Sequence, residues 1–121
     1  MHIATKSDWR DLKPMPASNE ATKIELHFNA AHMRNLRRGF VPSDQNEKWF
    51  LYFEDNILHI HRSWTGIKMY EVVFDDDGDG GVARRVRINL GPDYGGTLDD
   101  ARETWVDLLN YYASDEAHRS D

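Results

Sequence analysis

The chain has 121 residues, of which 40% are hydrophobic and 30% charged, which suits one folded domain rather than a disordered chain. Its net charge of -6 argues against a general nucleic-acid binder, because neutralisation of phosphates supplies most of that affinity. The absence of cysteine excludes disulfides, thiolate zinc sites and cysteine nucleophiles. No apolar run approaches the roughly 20 residues of a membrane helix, and no secretory signal is evident, so we expect a cytoplasmic protein without a membrane partner.

The first third of the chain predicts an arm, a strand and a short helix. Residues 1–20 contain prolines and small polar residues, which predicts a flexible N-terminal arm. Residues 22–28, "TKIELHF", alternate between apolar and polar side chains, as in a half-buried strand. The stretch that follows has a plausible N-cap in Asn29, apolar residues at helical spacing and a stop at Gly39.

The centre of the chain predicts a tight β-hairpin. "KWFLYFED" and "ILHIHRSW" flank Asp55 and Asn56, two residue types that tolerate left-handed conformations. That turn places Tyr52 opposite His59. One face of the hairpin then carries Trp49, Leu51, Phe53, Leu58 and Ile60. The other face carries Phe50, Tyr52, His59 and His61.

Two further strands and a helix complete the predicted fold. "IKMYEVVF" and "VARRVRINL" are strand patterns, and residues 97–113 form an amphipathic helix that includes Trp105 and Leu109. We therefore predict an α+β fold in two layers, an antiparallel β-meander sheet covered by a C-terminal helix, with one short N-terminal helix. Residues 21–113 form the single domain, and residues 114–121 are a frayed tail.

The acidic run between the last two strands resembles part of a calcium loop. Asp75, Asp77, Asp79 and Gly80 match positions 1, 3, 5 and 6 of an EF-hand, but the glutamate of position 12 is replaced by Val86. Since the flanking segments are strands rather than helices, we favour a long, solvated hairpin turn over a calcium site.

Two other groups of residues suggest ligands less strongly than they suggest ordinary structure. His59 and His61 share a strand face, but zinc needs a third ligand and usually a fourth, so we expect two half-exposed histidines and no metal. Arg34, Arg37 and Arg38 could cradle an anion, but a solvated helix face is the favoured interpretation.

The segment "HRSWTG" is the most specific feature of the sequence. By alternation, Arg62 and Trp64 share the core-side face, where an unpaired guanidinium would be costly. A guanidinium beside an indole is a platform for a phosphate and a base or sugar, and the hydroxyls of Ser63 and Thr65 could donate to the same ligand.

A structural interpretation of the same segment remains open. In it Arg62 pairs with Asp99 or Asp100 of the C-terminal segment, Trp64 fills the edge of the core, and Thr65 and Gly66 form a turn.

The segment of roughly residues 46–112 resembles a small, functionally uncharacterised bacterial domain family. The signature of that family is Trp-Phe…His-Arg-Ser-Trp-Thr-Gly. The matching positions are Trp49, Phe50, Arg62, Ser63, Trp64, Thr65, Gly66, Tyr70, Asn89, Tyr94, Thr97 and Asp99. Domains of that family sometimes accompany ADP-ribose-processing enzymes. The resemblance implies no reaction and no catalytic residue.

We therefore expect a non-enzymatic module that binds an anionic small molecule, such as a nucleotide or an ADP-ribose-like compound. Arg62 would hold the phosphate, Trp64 and Tyr70 would stack, and Ser63 and Thr65 would donate hydrogen bonds. This hypothesis predicts a pocket beside Trp64, with Arg62 unpaired or weakly paired, and no cofactor.

Two alternatives use the hairpin face opposite the predicted core. A protein–protein accessory module would present Phe50, Tyr52, His59 and His61 as a flat, exposed aromatic surface for a protein partner. A hydrolase, the weakest alternative, would use one histidine as general base, with a carboxylate in hydrogen-bonding reach inside a cleft.

Overall fold

The computed structural model describes residues 2–44, 46–91 and 98–118, with the backbone alone for residues 98–104. Its strands are β1 (Asn19–Phe28), β2 (Trp49–Glu54), β3 (Ile57–Arg62), β4 (Lys68–Asp77) and β5 (Gly80–Asn89), and its α-helices are α1 (Ala30–Arg38) and α2 (Leu98–Ala113). Two short 3-10 helices lie at Lys6–Asp8 and Asp115–His118. The strands form one antiparallel sheet in the order β1-β5-β4-β3-β2, which confirms the α+β meander.

The β2–β3 hairpin has the predicted turn and register. Asp55 and Asn56 have φ angles of 56° and 62°, as a two-residue type I′ turn requires, since its twist matches that of the flanking strands. Tyr52 therefore pairs with His59, and Leu51 with Ile60.

The helices pack on the predicted core face of the sheet. Helix α1 begins where the Asn29 side chain accepts a hydrogen bond from the backbone N–H of His32 at 2.8 Å, and it ends at Gly39, whose φ is 68°. Trp105 and Leu109 of α2 are fully buried in the same cluster. Each such side chain contributes roughly 2 kcal/mol of hydrophobic stabilisation.

The N-terminal arm lies against the opposite face of the sheet, which carries Phe50, Tyr52, His59 and His61 and which we call the arm face. Ala4 is buried, and its backbone N–H donates to the carbonyl of Arg38 at 2.8 Å. The Trp9 ring stacks on Phe50, with centroids 5.6 Å apart, and its Nε1 donates to the carbonyl of Ser63 at 2.9 Å. The segment predicted to be a flexible arm therefore supplies the cover of a second, smaller core, in which Phe50 and Tyr52 are buried.

The acidic run corrects our expectation of a long turn. Asp75, Asp76 and Asp77 lie in β4, and strand pairing continues to Asp77 and Gly80, which leaves a two-residue turn. The run is held by cross-strand charges, since Arg84 Nε lies 3.2 Å from Asp75 Oδ2. Among the described residues, no group of three or more His, Asp or Glu side chains could hold a metal.

The end of α2 also packs more closely than the predicted frayed tail. Residues Asp115–His118 form a 3-10 turn that buries Ala117 and His118. The buried Asn35 amide on α1 donates to the carbonyl of Ala113 at 2.8 Å and to Asp115 Oδ1 at 3.0 Å, which ties this turn to the first helix. No helix in the described part of the chain is long and apolar enough to span a membrane.

Candidate functional site

The "HRSWTG" segment divides at the end of β3. The strand ends at Arg62, and residues 63–65 form a turn closed by hydrogen bonds from Arg62 N to Ile67 O at 2.9 Å and from Gly66 N to Arg62 O at 2.8 Å. Alternation no longer applies in a turn, so the prediction that Arg62 and Trp64 share the core-side face is wrong. Trp64 is 71% exposed and does not fill the edge of the core.

Arg62 is solvent-exposed and lies next to a tryptophan other than the predicted one. Its guanidinium carbon is 5.2 Å from the ring centroid of Trp49, a cation–π contact. Among the described side chains it forms no ion pair, and Asp99 and Asp100 lie outside those side chains. Because the guanidinium is in water, the cost of burying a charge gives no reason for it to bind a ligand.

Tyr70 and Ser63 have internal roles. Tyr70 is 2% exposed in the core between the sheet and the helices, with its ring 6.1 Å from that of Trp49. Ser63 is 8% exposed, and its hydroxyl donates to the carbonyl of Glu47 at 2.9 Å, while its N–H donates to that of Lys48 at 2.8 Å. The expectations that Tyr70 stacks on a ligand and that Ser63 Oγ donates to one are not supported.

Ser63, Trp64, Thr65 and Gly66 nevertheless form one wall of a groove. The opposite wall is residues 8–13 of the N-terminal arm, and the groove between the walls is open to solvent, with a volume of about 970 Å³. We call it the Trp64 groove. Its volume lies at the upper end of the range of small-molecule sites, roughly 300–1,000 Å³.

Gly66 determines how closely the two walls approach. Its carbonyl accepts a hydrogen bond from Lys13 N at 2.9 Å, and the Lys13 ammonium donates to the carbonyl of Thr65. A Cβ atom at Gly66 would lie 2.1 Å from the carbonyl oxygen of Asp11, and the φ of Gly66 is +75°. Only glycine therefore fits both the turn and the contact with the arm.

The arm residues of the groove were missed from the sequence. Trp9, Arg10 and Lys13 place an indole and two cations next to the exposed Trp64. Asp8 and Asp11 oppose them, but the hydrogen bond from the Thr5 backbone N–H, together with contact with His2, holds the pKa of Asp8 below its usual value. The available signals were Trp9 and Leu12, two large apolar residues in the part of the arm that also carries Arg10 and Lys13.

His61 lies behind the groove, in the interior rather than half-exposed, whereas the His59 side chain is partly buried and keeps 13% of its exposure. His61 is 1% exposed, and its Nδ1 lies 2.9 Å from the carbonyl of Gly66, so the neutral ring carries its proton on Nδ1. Its Nε2 is buried, with no partner among the described residues. Burial lowers the pKa of His61 to about 4, and the nearby Lys68 ammonium acts in the same direction.

A β-bulge brings Lys68 to His59. Ile60 pairs with Tyr70 but His61 pairs with Lys68, so one extra residue of β4 moves Lys68 to the arm face. Its ammonium lies 2.8 Å from His59 Nδ1 and 2.9 Å from Glu71 Oε2. Burial and this ammonium lower the pKa of His59 to about 4.

This arrangement weakens the two hypotheses that use the arm face. A metal ion at His59 would have to displace the ammonium of Lys68, and Glu71 Oε2, 3.6 Å from His59 Nδ1, is itself bonded to Lys68. Neither histidine lines the Trp64 groove. The exposed aromatic surface expected for a protein partner is absent, since Phe50 and its neighbours are covered by the arm.

The arginines of α1 follow the favoured interpretation only in part. Arg34 is exposed, and Arg37 forms an exposed ion pair with Asp76 at 3.3 Å. Arg38 is only 8% exposed, so it does not belong to a solvated face. Tyr94 and Thr97, two of the positions that match the bacterial domain family, lie outside the described residues.

Comparison of the chain with protein-family models, with curated proteins and with solved structures finds no significant match. The resemblance to the bacterial domain family therefore stays a prediction, and the geometry of the Trp64 groove is the basis for proposing a function.

Proposed function

We propose that this protein is a non-enzymatic binding module and that the Trp64 groove takes an anionic small molecule with a planar ring, such as a nucleotide or an ADP-ribose-like compound. The observation that carries the proposal is the 71% exposure of Trp64 beside Arg10 and Lys13. Tryptophan is highly buried on average, so an indole held out by a fixed turn next to two cations favours a ligand that stacks and carries negative charge.

The roles of the residues differ from those that the sequence suggested. Trp64 stacks on the ring of the ligand, and Trp9 supports the opposite wall through its bond to the carbonyl of Ser63. Arg10 and Lys13 replace Arg62 as the groups that attract phosphate. The Thr65 hydroxyl, which accepts a hydrogen bond from Ile67 N at 3.3 Å, keeps its own hydrogen for a ligand oxygen.

The groove is nearly neutral, which limits the affinity that charge alone can give. Two cations face two carboxylates, but Asp8 is already engaged by Thr5 N and His2, both at 2.8 Å. The Lys13 ammonium in turn donates to the carbonyl of Thr65, so Arg10 is the cation of the groove without an internal partner among the described residues. We expect binding that weakens with salt, because the cations are at the surface.

The test is a two-dimensional amide NMR titration with ADP-ribose that follows the backbone and the four indole N–H signals. We expect saturable shifts at Trp64, at Trp9 and along residues 63–66, and their loss in Trp64→Ala. Lys13→Gln should weaken binding about three- to tenfold, as expected for one exposed charge-assisted contact.

Tyr111→Ala is the matched control, because Tyr111 is also an exposed aromatic residue, 49% accessible, but lies outside the Trp64 groove. Its binding of ADP-ribose should equal that of the wild type. Absence of shifts at millimolar ADP-ribose, or full binding by Trp64→Ala, would refute the proposal.

A further inference from the structure

A second groove lies at the opposite side of the β2–β3 hairpin, between the start of β2 and the end of α2. Its floor and sides are aromatic, formed by Phe40, Trp49, Tyr111 and Tyr112, and its volume is about 680 Å³. We call it the Trp49 groove. Phe40 and Tyr112 pack with centroids 5.0 Å apart, and Tyr111 meets Tyr112 edge-on at the same distance. These contacts fix the rings that a ligand would touch.

The rim of the Trp49 groove carries more negative than positive charge. Asp107 and Glu116 are exposed on the α2 side, and within the described part of the chain neither forms an ion pair. Glu47 lies on the β2 side, where its carboxylate accepts hydrogen bonds from Ser43 Oγ and N at 2.8 and 3.2 Å. Three carboxylates thus outnumber the two cations near this aromatic site, which are Lys48 in its lining and Arg62, whose guanidinium lies 5.2 Å from the centroid of the Trp49 ring.

The chain itself shows that Trp49 interacts with a cation. The Arg62 guanidinium lies over its ring at 5.2 Å. Electron-rich ring faces attract organic cations, and the attraction is strongest where carboxylates add to it and water is partly excluded. A nucleotide or another anion would face the rim carboxylates and is disfavoured.

We propose that the Trp49 groove binds a small organic cation with an apolar body, of the alkylated ammonium class. The quaternary or alkylated nitrogen would sit among Trp49, Tyr111 and Tyr112, and Asp107 and Glu116 would complement its charge across the mouth. This site is independent of the Trp64 groove, with which it shares none of its lining residues.

The probe pair that tests this is choline and its uncharged carbon isostere, 3,3-dimethyl-1-butanol, titrated into the full chain by amide NMR. Choline should shift the Trp49 indole N–H and the amides of Tyr111 and Glu116. The isostere should bind about tenfold more weakly, since it loses the cation–π and carboxylate terms. Equal affinities of the two probes, or no shift at tens of millimolar choline, would overturn the proposal.

Variants separate this site from the other one. Asp107→Asn combined with Glu116→Gln should weaken choline binding about threefold and leave the isostere unaffected, because the carboxylate attraction is removed and the cation–π attraction remains. Both residues are exposed, so the fold should persist, which the amide spectrum reports. Trp64→Ala should bind choline normally. Unchanged choline affinity in the double variant would refute the role of the two rim carboxylates.

Other occupants of the groove would show themselves in the same samples. Sedimentation that reveals a dimer dissociated by Tyr111→Ala would assign the groove to a second copy of the chain and would overturn the proposal. Choline shifts that follow Trp64 rather than Trp49 would also overturn it. If choline does not bind, the result of the ADP-ribose titration is unaffected, because the two grooves share no lining residue. If ADP-ribose does not bind, the choline titration still tests the Trp49 groove.

Discussion

The buried His61 and the partly buried His59 predict a loss of stability in mild acid. Burial lowers the pKa of His61 from 6.5 to about 4, and the nearby ammonium of Lys68 acts in the same direction. A proton added at Nε2 would find no acceptor among the described residues. The unfolded chain binds this proton below about pH 6.5, whereas the folded chain binds it only below about pH 4. Stability is therefore complete above pH 6.5 and is lost as the pH falls from 6.5 to 4.

The magnitude follows from the shift. A difference of about 2.5 pKa units at 1.36 kcal/mol per unit gives about 3 kcal/mol for His61 across that window. His59 titrates in the same window, with its pKa also lowered to about 4. Since many domains are stable by only about 5–15 kcal/mol, the two histidines together suffice to unfold a weak one.

Urea unfolding between about pH 7.5 and pH 4 measures this effect. We expect His61→Phe to lose less stability than the wild type over that range, by about 3 kcal/mol, because it retains a ring of similar size and removes one titrating group. His32→Gln, at an exposed position of α1, is the control and should follow the wild type. Parallel profiles for His61→Phe and the wild type would refute the assignment of a neutral, buried His61.

Three other predictions concern the contacts that hold the arm and the arm face, all measured by urea unfolding at neutral pH. Gly66→Ala should destabilise the protein by more than Gly78→Ala. Both glycines have positive φ, but of the two only Gly66 would place its Cβ against backbone, 2.1 Å from the carbonyl oxygen of Asp11. Equal losses of about 1 kcal/mol would contradict this prediction. Glu71→Gln should cost about 3–5 kcal/mol, since it leaves the ammonium of Lys68, 8% exposed, without its carboxylate, and a loss below 1 kcal/mol would contradict it. Trp9→Ala should cost about 2–4 kcal/mol and speed proteolysis within residues 1–18, and cleavage no faster than in the wild type would contradict it.

The parts of the fold that the sequence predicts correctly are those specified by neighbours in the chain. The register of the β2–β3 hairpin follows from a two-residue turn at Asp55 and Asn56 with strict alternation on both sides. The ends of α1 follow from the capping chemistry of Asn29 and Gly39. In each case the determining contacts span a few residues, so a local pattern contains the information.

The candidate site depended on contacts that no local pattern specifies. Trp9 contacts Ser63 across 54 residues and Lys13 contacts Thr65 across 52, and these long-range contacts create the Trp64 groove. The orientation of Trp64 was predicted wrongly because alternation was extended two residues past the end of β3. The bulge in β4 has a similar effect on Lys68. Simple alternation would place Lys68 on the same face as Tyr70, but the extra residue moves it to the opposite face, beside His61.

The Trp64 groove and the arm face are physically one system, because the carbonyl of Gly66 accepts hydrogen bonds from both Lys13 N and His61 Nδ1. The arm that covers the arm face is also the wall that carries Arg10 and Lys13. A ligand that bridges the two walls binds only while the arm is docked. Binding of the ligand therefore stabilises the docked arm, and the coupling free energy is the same in both directions. Protonation of His61 opposes docking, because it places a charge against the buried side of the arm. The affinity of the Trp64 groove for its ligand should therefore fall in mild acid together with the stability of the arm, whereas the Trp49 groove, which contains no arm residue, should not follow it.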